Sequence, residues 1–284
     1  MRFSLRTTGL AATLALLAAC NSDSVVTPDN SPTSVNAVQS DVQNVSAASA
    51  SDAVAAIGTG LSSAGVSYDQ APANVMSGQV SGSCSYSAGT GFYTCVGGKE
   101  RGLTVTRQFK IFAGGGATGT PNSVLPDSTL AIWSTAGRDT SVEDGRTRIR
   151  IVNRADTNMS VITRDTVPPK LPTKFTNNGH GTQKDTVIYI DSLGTKTYAV
   201  NNDVVVTNVV RKAPEPQNPW PASGTITITL QGSMTYAPKT GETVTKSVAG
   251  VAVVTFNGTQ TASLAVGGKT CDLNLSNRKV SNCK

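Results

Sequence analysis

Residues Gly224–Tyr236 read GTITITLQGSMTY, and the period of this stretch decides the fold class. Ile226, Ile228, Leu230, Met234 and Tyr236 hold even positions, with Gly232 among them. Thr225, Thr227, Thr229, Gln231, Ser233 and Thr235 fill the odd ones. A strict period of two predicts a strand with one buried face and one wet face, whereas helical spacing would scatter the same apolar side chains around a cylinder. Burying five such side chains contributes roughly 7–15 kcal/mol gross. Fixing the backbone costs a similar amount, about 1–2 kcal/mol per residue. The strand cannot stand alone, so a large antiparallel sheet is expected around it.

From Gly78 onward the chain alternates between β-branched segments and clusters of Gly, Pro, Asn and Asp. Strands are expected near 79–87, 91–97, 103–113, 128–134, 146–153 and 159–166, the last two joined by a turn over Ala155–Asn158. Others are expected near 185–191, 197–211, 222–236, 243–256, 259–266, 269–275 and 279–282. Asn257-Gly258 reads as a two-residue hairpin turn with φ > 0 at both central positions. Gly89-Thr90 suits another. Residues 114–127 and 212–221 are the longest loop-like interruptions, and Trp220 is read as a plug over one end of the sheet. The recurrence Arg138-Asp139-Thr140, Arg164-Asp165-Thr166 and Lys184-Asp185-Thr186 lacks a fixed period and reads as strand-end charge pairs.

Before the sheet, residues 35–77 read as a stalk or a single amphipathic helix. Val35, Val38, Val42 and Val45 are spaced three, four and three, which places them on one helical stripe. β-Branched valines make such a helix marginal in isolation, so an ordered helix is expected to lie against the sheet. Residues 20–34 carry two prolines and read as a tether, roughly 40 Å long if extended.

The chain begins MRFSLRTTGLAATLALLAAC. Arg2 and Arg6 form a basic n-region, and Leu10–Ala19 is apolar but too short to span a bilayer. Leu17-Ala18-Ala19-Cys20 resembles the lipobox of bacterial lipoproteins. The resemblance covers residues 1–21 and implies removal of 1–19, acylation of Cys20 and anchoring in the cell envelope. Asn21, rather than Asp, after the cysteine implies the outer membrane over the inner.

Cys84, Cys95, Cys271 and Cys283 remain, an even number that suits two disulfides in an exported domain. A turn at Gly89-Thr90 sets Cys84 opposite Cys95 and Tyr86 opposite Tyr93. A three-residue loop centred on Asn277 sets Cys271 opposite Cys283, although Val280 would then face away from Leu273 and Leu275. The rival connectivity bridges the two hairpins.

Net charge is +6, unevenly placed: residues 21–98 carry five Asp and no Lys or Arg, and the excess of cations lies beyond them. Arg146, Arg148 and Arg150 alternate with Thr147, Ile149 and Ile151, so three guanidiniums share a strand face, with Arg154 and Arg164 expected across the turn. Read as a wet basic strip, this face would hold an anionic lipid or polysaccharide surface. Pairing with internal Asp and Glu is the other way to relieve the repulsion. Nucleic acid is not expected as a partner outside the cytoplasm.

Catalytic motifs for serine hydrolases, zinc proteases and phosphate binding are missing from the sequence, and no cofactor is implied. His180, the single histidine, sits between Gly179 and Gly181 and reads as an exposed turn. Asp139, Glu143 and Asp144 form a weak carboxylate cluster. The expectation is therefore an all-β domain over 78–284, a twisted sheet or partly closed barrel with an N-terminal helix packed on it. A non-catalytic, lipid-anchored binding or scaffolding protein leads. A carrier of amphiphiles would need an apolar cavity, and a hydrolase would need acids converging in a cleft.

Overall fold

The computed structural model describes residues 38–43, 45–47, 49, 50, 53, 84–100, 102–118, 127–143, 145–167, 172–212, 220–276 and 279–284. Residues 1–34, for which a signal segment, acylated Cys20 and a tether are expected, lie outside them. The described strands are β1 (Cys84–Ser87), β2 (Phe92–Glu100), β3 (Leu103–Ala113), β4 (Gly116–Thr118), β5 (Ser128–Glu143) and β6 (Arg146–Arg164). They continue as β7 (Pro172–Ile190), β8 (Gly194–Lys212), β9 (Ser223–Pro238), β10 (Val244–Thr255), β11 (Thr261–Val266), β12 (Lys269–Asn274) and β13 (Val280–Ser281). All form one open antiparallel sheet in chain order, with only β4 off the path, paired to β3. The helical residues 38–43, 45–47, 49, 50 and 53 form α1.

β9 carries the predicted alternation. Ile226, Ile228, Leu230 and Met234 are fully buried, and the intervening threonines are half-buried or exposed. The four even residues face α1. Ala47, Ala50 and Ala53 pack on Val204, Val206, Ile226, Ile228, Val254 and Leu264. Val45, with Val38 and Val42 alongside, packs on Tyr198, Val200, Leu230 and Met234. The valine stripe is thus the buried seam of α1, and Val35 lies outside the described residues. A helix this short gains most of its stability from such packing. The sheet consequently has an inner face, toward α1, and an outer face.

Three central strands are longer than expected, at 19 residues each. No turn occurs at Ala155–Asn158: β6 runs unbroken, pairing Ala155 with both Ser134 and Thr182. Arg138-Asp139-Thr140 likewise lies within β5 rather than in a loop. His180 is in the middle of β7, between Thr157 and Val205, and not in a turn. Its flanking glycines have a different purpose. Gly179 and Gly181 face Asn158 and Asp156 across the ladder, and a Cβ at either position would overlap those side chains. Glycine here makes room for a neighbour's polar side chain lying across the strand.

The loop chemistry also differs at Asn257-Gly258. Gly258 takes φ 83°, but Asn257 is not left-handed, and the link from β10 to β11 covers residues 256–260. Asn257 Oδ1 instead accepts from the Thr259 amide and hydroxyl, an Asx-type turn. Trp220 is half-buried at the bend that precedes β9.

Candidate functional site

The arginines of β6 do share one face, and it is the inner one. Arg150 and Arg154 are buried, Arg154 to 1% exposure, and Arg146 and Arg148 are half-buried. The wet basic strip is therefore overturned in favour of internal pairing. Arg154 grips Asp156 two residues along with Nε and Nη2, the latter 2.8 Å from Oδ1. Its Nη1 donates to Gln183 Oε1 at 2.5 Å and to the Ser49 carbonyl of α1 at 2.9 Å. Gln183 passes the chain on to Asp185, which also accepts from Arg150 at 3.1 Å. Ser49 closes the loop by donating to Gln183 Oε1 at 3.2 Å. All three nitrogens of Arg154 are bonded, which offsets the cost of burying its charge.

Arg146 stands at the other end of the same face. It lies 3.7 Å from both Asp41 and Asp191, with its guanidinium over the Tyr189 ring at 4.5 Å. Asp41, on α1, also takes Lys196 Nζ at 2.9 Å and the Tyr198 hydroxyl at 2.8 Å. Burial, and then the Asp41 charge, push the Tyr198 hydroxyl far above its ordinary pKa. Across the β5–β6 ladder, Asp139 is opposite Arg150 and Glu143 opposite Arg146. Arg164, half-buried, ends β6 beside Pro172. With no turn to fold it back, it stands 18 residues from Arg146, roughly 60 Å along the strand. The five arginines do not form one cluster.

Asp139 and Glu143 lie four residues apart on β5, roughly 13 Å along the strand, and Asp144 lies outside the described residues. They do not converge in a cleft. Among the described residues no group of three His, Cys, Asp or Glu could hold a metal ion. His180 is exposed on the outer face and bonds Asp203 at 2.6 Å.

The cysteines follow the local pattern. Cys271 and Cys283 are disulfide-bonded. Cys95 is also disulfide-bonded, and the residue directly across the ladder from it is Cys84, with Tyr86 opposite Tyr93 as expected. The C-terminal hairpin differs in register. Leu273 faces Val280, whereas Thr270 exchanges backbone hydrogen bonds with Lys284. One extra residue, Asn282 at φ 52°, absorbs the shift and carries Cys283 over Cys271.

The outer face of β6–β9 offers what the inner face does not: polar side chains that are open to solvent. One cross-strand row runs Asn153, Lys184, Asn201, Gln231, and the next runs Ala155, Thr182, Asp203, Thr229. Together they line a trough of about 750 Å³. Among the described residues, Asn153, Lys184, Asn201 and Gln231 have no hydrogen bond or ion pair at their side-chain ends. Three amides and an ammonium in a line present both donors and acceptors to whatever lies in the trough.

This row escaped sequence reading because its members are spread over 79 residues of chain and meet only through strand register. The usable signal was the polar half of each alternating strand. Comparison with protein-family models, curated proteins and solved structures finds no match.

Proposed function

We propose that the protein is a non-catalytic binding or scaffolding protein of the cell envelope, exported and anchored through an acylated Cys20. The outer-face trough is the observation that carries the binding half of this reading. Its open polar row suits a hydroxyl-rich polymer such as envelope polysaccharide, which needs many donors and acceptors and little apolar contact. The inner apolar face of β8–β12, by contrast, is covered by α1, the place an amphiphile carrier would keep for its cargo. The anchoring half rests on Leu17-Ala18-Ala19-Cys20 and on disulfides that suit an oxidising compartment.

Two measurements test it. Mass spectrometry of the mature N-terminal peptide should find acylated Cys20, and an unmodified Cys20 or cleavage elsewhere removes the anchor. Full-length protein should co-sediment with isolated envelope polysaccharide, with retention reduced at least tenfold by Asn201→Ala with Gln231→Ala. Equal retention of this double variant removes the trough as the binding surface.

A further inference from the structure

Lys174 and Lys212 face each other directly across β7 and β8, both exposed on the outer face. Like charges at opposed positions of a ladder repel, and among the described residues neither has an ion pair or hydrogen bond at its ammonium. A third cation, Lys110, lies on the same face at the same end of the sheet, its Nζ 4.5 Å from the centre of the Phe92 ring. Between these lysines the outer face carries Leu130, Met159, Val161 and Val210, with Ser128, Thr176 and Asn178 among them. Val161 is 49% exposed and Met159 36% exposed, and Leu130 is paired to Lys110 on one side and Met159 on the other.

Among the described residues the lysines at this end outnumber the carboxylates, which are Asp127 and Asp165. Asp203 stands farther along the face and bonds His180, Asp127 accepts from the Gly114 amide, and Asp165 lies beyond the end of β6. Among the described residues the arrangement is a partly apolar surface that carries three lysines, with two carboxylates, Asp127 and Asp165, at its margin. Lysine stems lie along apolar surface while their heads reach the headgroup layer.

We infer that this end of the outer face docks on an anionic phospholipid bilayer. Val161, Met159 and Leu130 meet the acyl boundary, and Lys110, Lys174 and Lys212 meet lipid phosphates. The site uses residues separate from the trough: Lys174 is eight positions from Thr182 along β7, and Met159 is four from Ala155 along β6, roughly 13 Å. It goes beyond the proposed function, because the bilayer is met by the folded domain as well as by the lipid anchor.

The full chain carrying Cys20→Ser, which cannot be acylated, supplies the test. It should co-sediment with vesicles of equal phosphatidylglycerol and phosphatidylcholine and not with phosphatidylcholine alone. Each lysine near an anionic surface is worth about fivefold, so Lys174→Gln with Lys212→Gln should weaken binding about 25-fold. Met159→Ser with Val161→Ser should weaken it further at 1 M salt, where the Debye length falls to about 3 Å and apolar contact dominates.

Folding is controlled by the denaturation midpoint, which these substitutions should not lower. Without lipid, Lys212→Glu should raise the midpoint by relieving the Lys174 repulsion. Absent binding, equal binding to both vesicles, or lysine variants that bind like the parent would each overturn the inference. So would self-association through Met159 and Val161 in place of vesicle binding. Because the protein lacks acyl chains, none of these outcomes depends on the anchor, and none reads the trough.

Discussion

Gly181 lies directly beneath the Asp156 carboxylate, on the strand next to it. The absence of a Cβ there lets Asp156 lie across β7 and meet Arg154 with both oxygens. A methyl group at residue 181 has no room unless that carboxylate moves.

Gly181→Ala is therefore expected to destabilise by about 1–3 kcal/mol, the range for overpacking a filled interior. Gly89→Ala, where a Cβ meets nothing within 4 Å, should change stability by no more than about 0.5 kcal/mol. Urea titration of the two variants checks the contrast.

Arg154 ties three elements together, and its loss leaves Asp156 buried without its ion-pair partner. Arg154→Met should cost about 3–5 kcal/mol, whereas Arg154→Met with Asp156→Leu should recover much of that. A double-mutant cycle in chemical denaturation measures the recovery. Protease sensitivity of α1 should rise in the single variant, since the bond to the Ser49 carbonyl is lost with the guanidinium.

Asn202 presents the opposite case. It is buried between Gln183 and Leu230 on the neighbouring strands, and neither amide atom has a hydrogen-bond partner among the described residues. A buried unpaired polar group costs about 1–3 kcal/mol. Asn202→Leu should leave stability unchanged or raise it by about 1 kcal/mol, seen as a higher melting temperature.

Alkaline pH should unfold the protein through Tyr198. Its hydroxyl pKa is raised in the folded state, first by burial and then by Asp41, so above about pH 10 the unfolded chain gives up this proton first. The unfolded state then binds fewer protons than the folded one, and stability falls as pH rises. One such group contributes a slope of about 1.4 kcal/mol per pH unit, fully absent below pH 10. Tyr198→Phe should flatten that limb, leaving a smaller slope in the same direction from Tyr93, also raised by burial. Melting curves between pH 8 and 12 read the difference.

These residues show how far the sequence could be read. The all-β class, the buried face of β9, the valine seam of α1 and the Cys271–Cys283 pairing follow from period and spacing, which act within one segment. The orientation of β6 does not. Alternation of Arg with Ile suggests that Ile is buried and Arg is wet, yet Ile151 is 43% exposed and Arg150 is buried. What reverses the strand is a set of partners on other elements: Asp41 on α1, Asp185 on β7 and Asp191 just after it. No window along β6 contains them. Gly179-His180-Gly181 misled for the same reason, because the demand for space comes from Asn158 and Asp156 on another strand. The trough is built wholly from such register relations.

The strand order has a consequence for how the molecule assembles. Each strand along the main path pairs with the one before it on that path, with β5 passing over β4 to reach β3, so the sheet can zip from one end without waiting for a distant partner. α1 is the exception. First among the described elements along the chain, it packs on β8–β12 and bonds Arg154 of β6 and Gln183 of β7, and Gln39 bonds the Gly267 carbonyl across 228 residues. This helix therefore reaches its resting place only after nearly the whole chain has emerged. During that interval Ile226, Ile228, Leu230 and Leu264 lack their cover, and the growing sheet is most prone to aggregate. Final docking of α1 ends that exposure and is the step most sensitive to the rate at which the C-terminal strands are delivered.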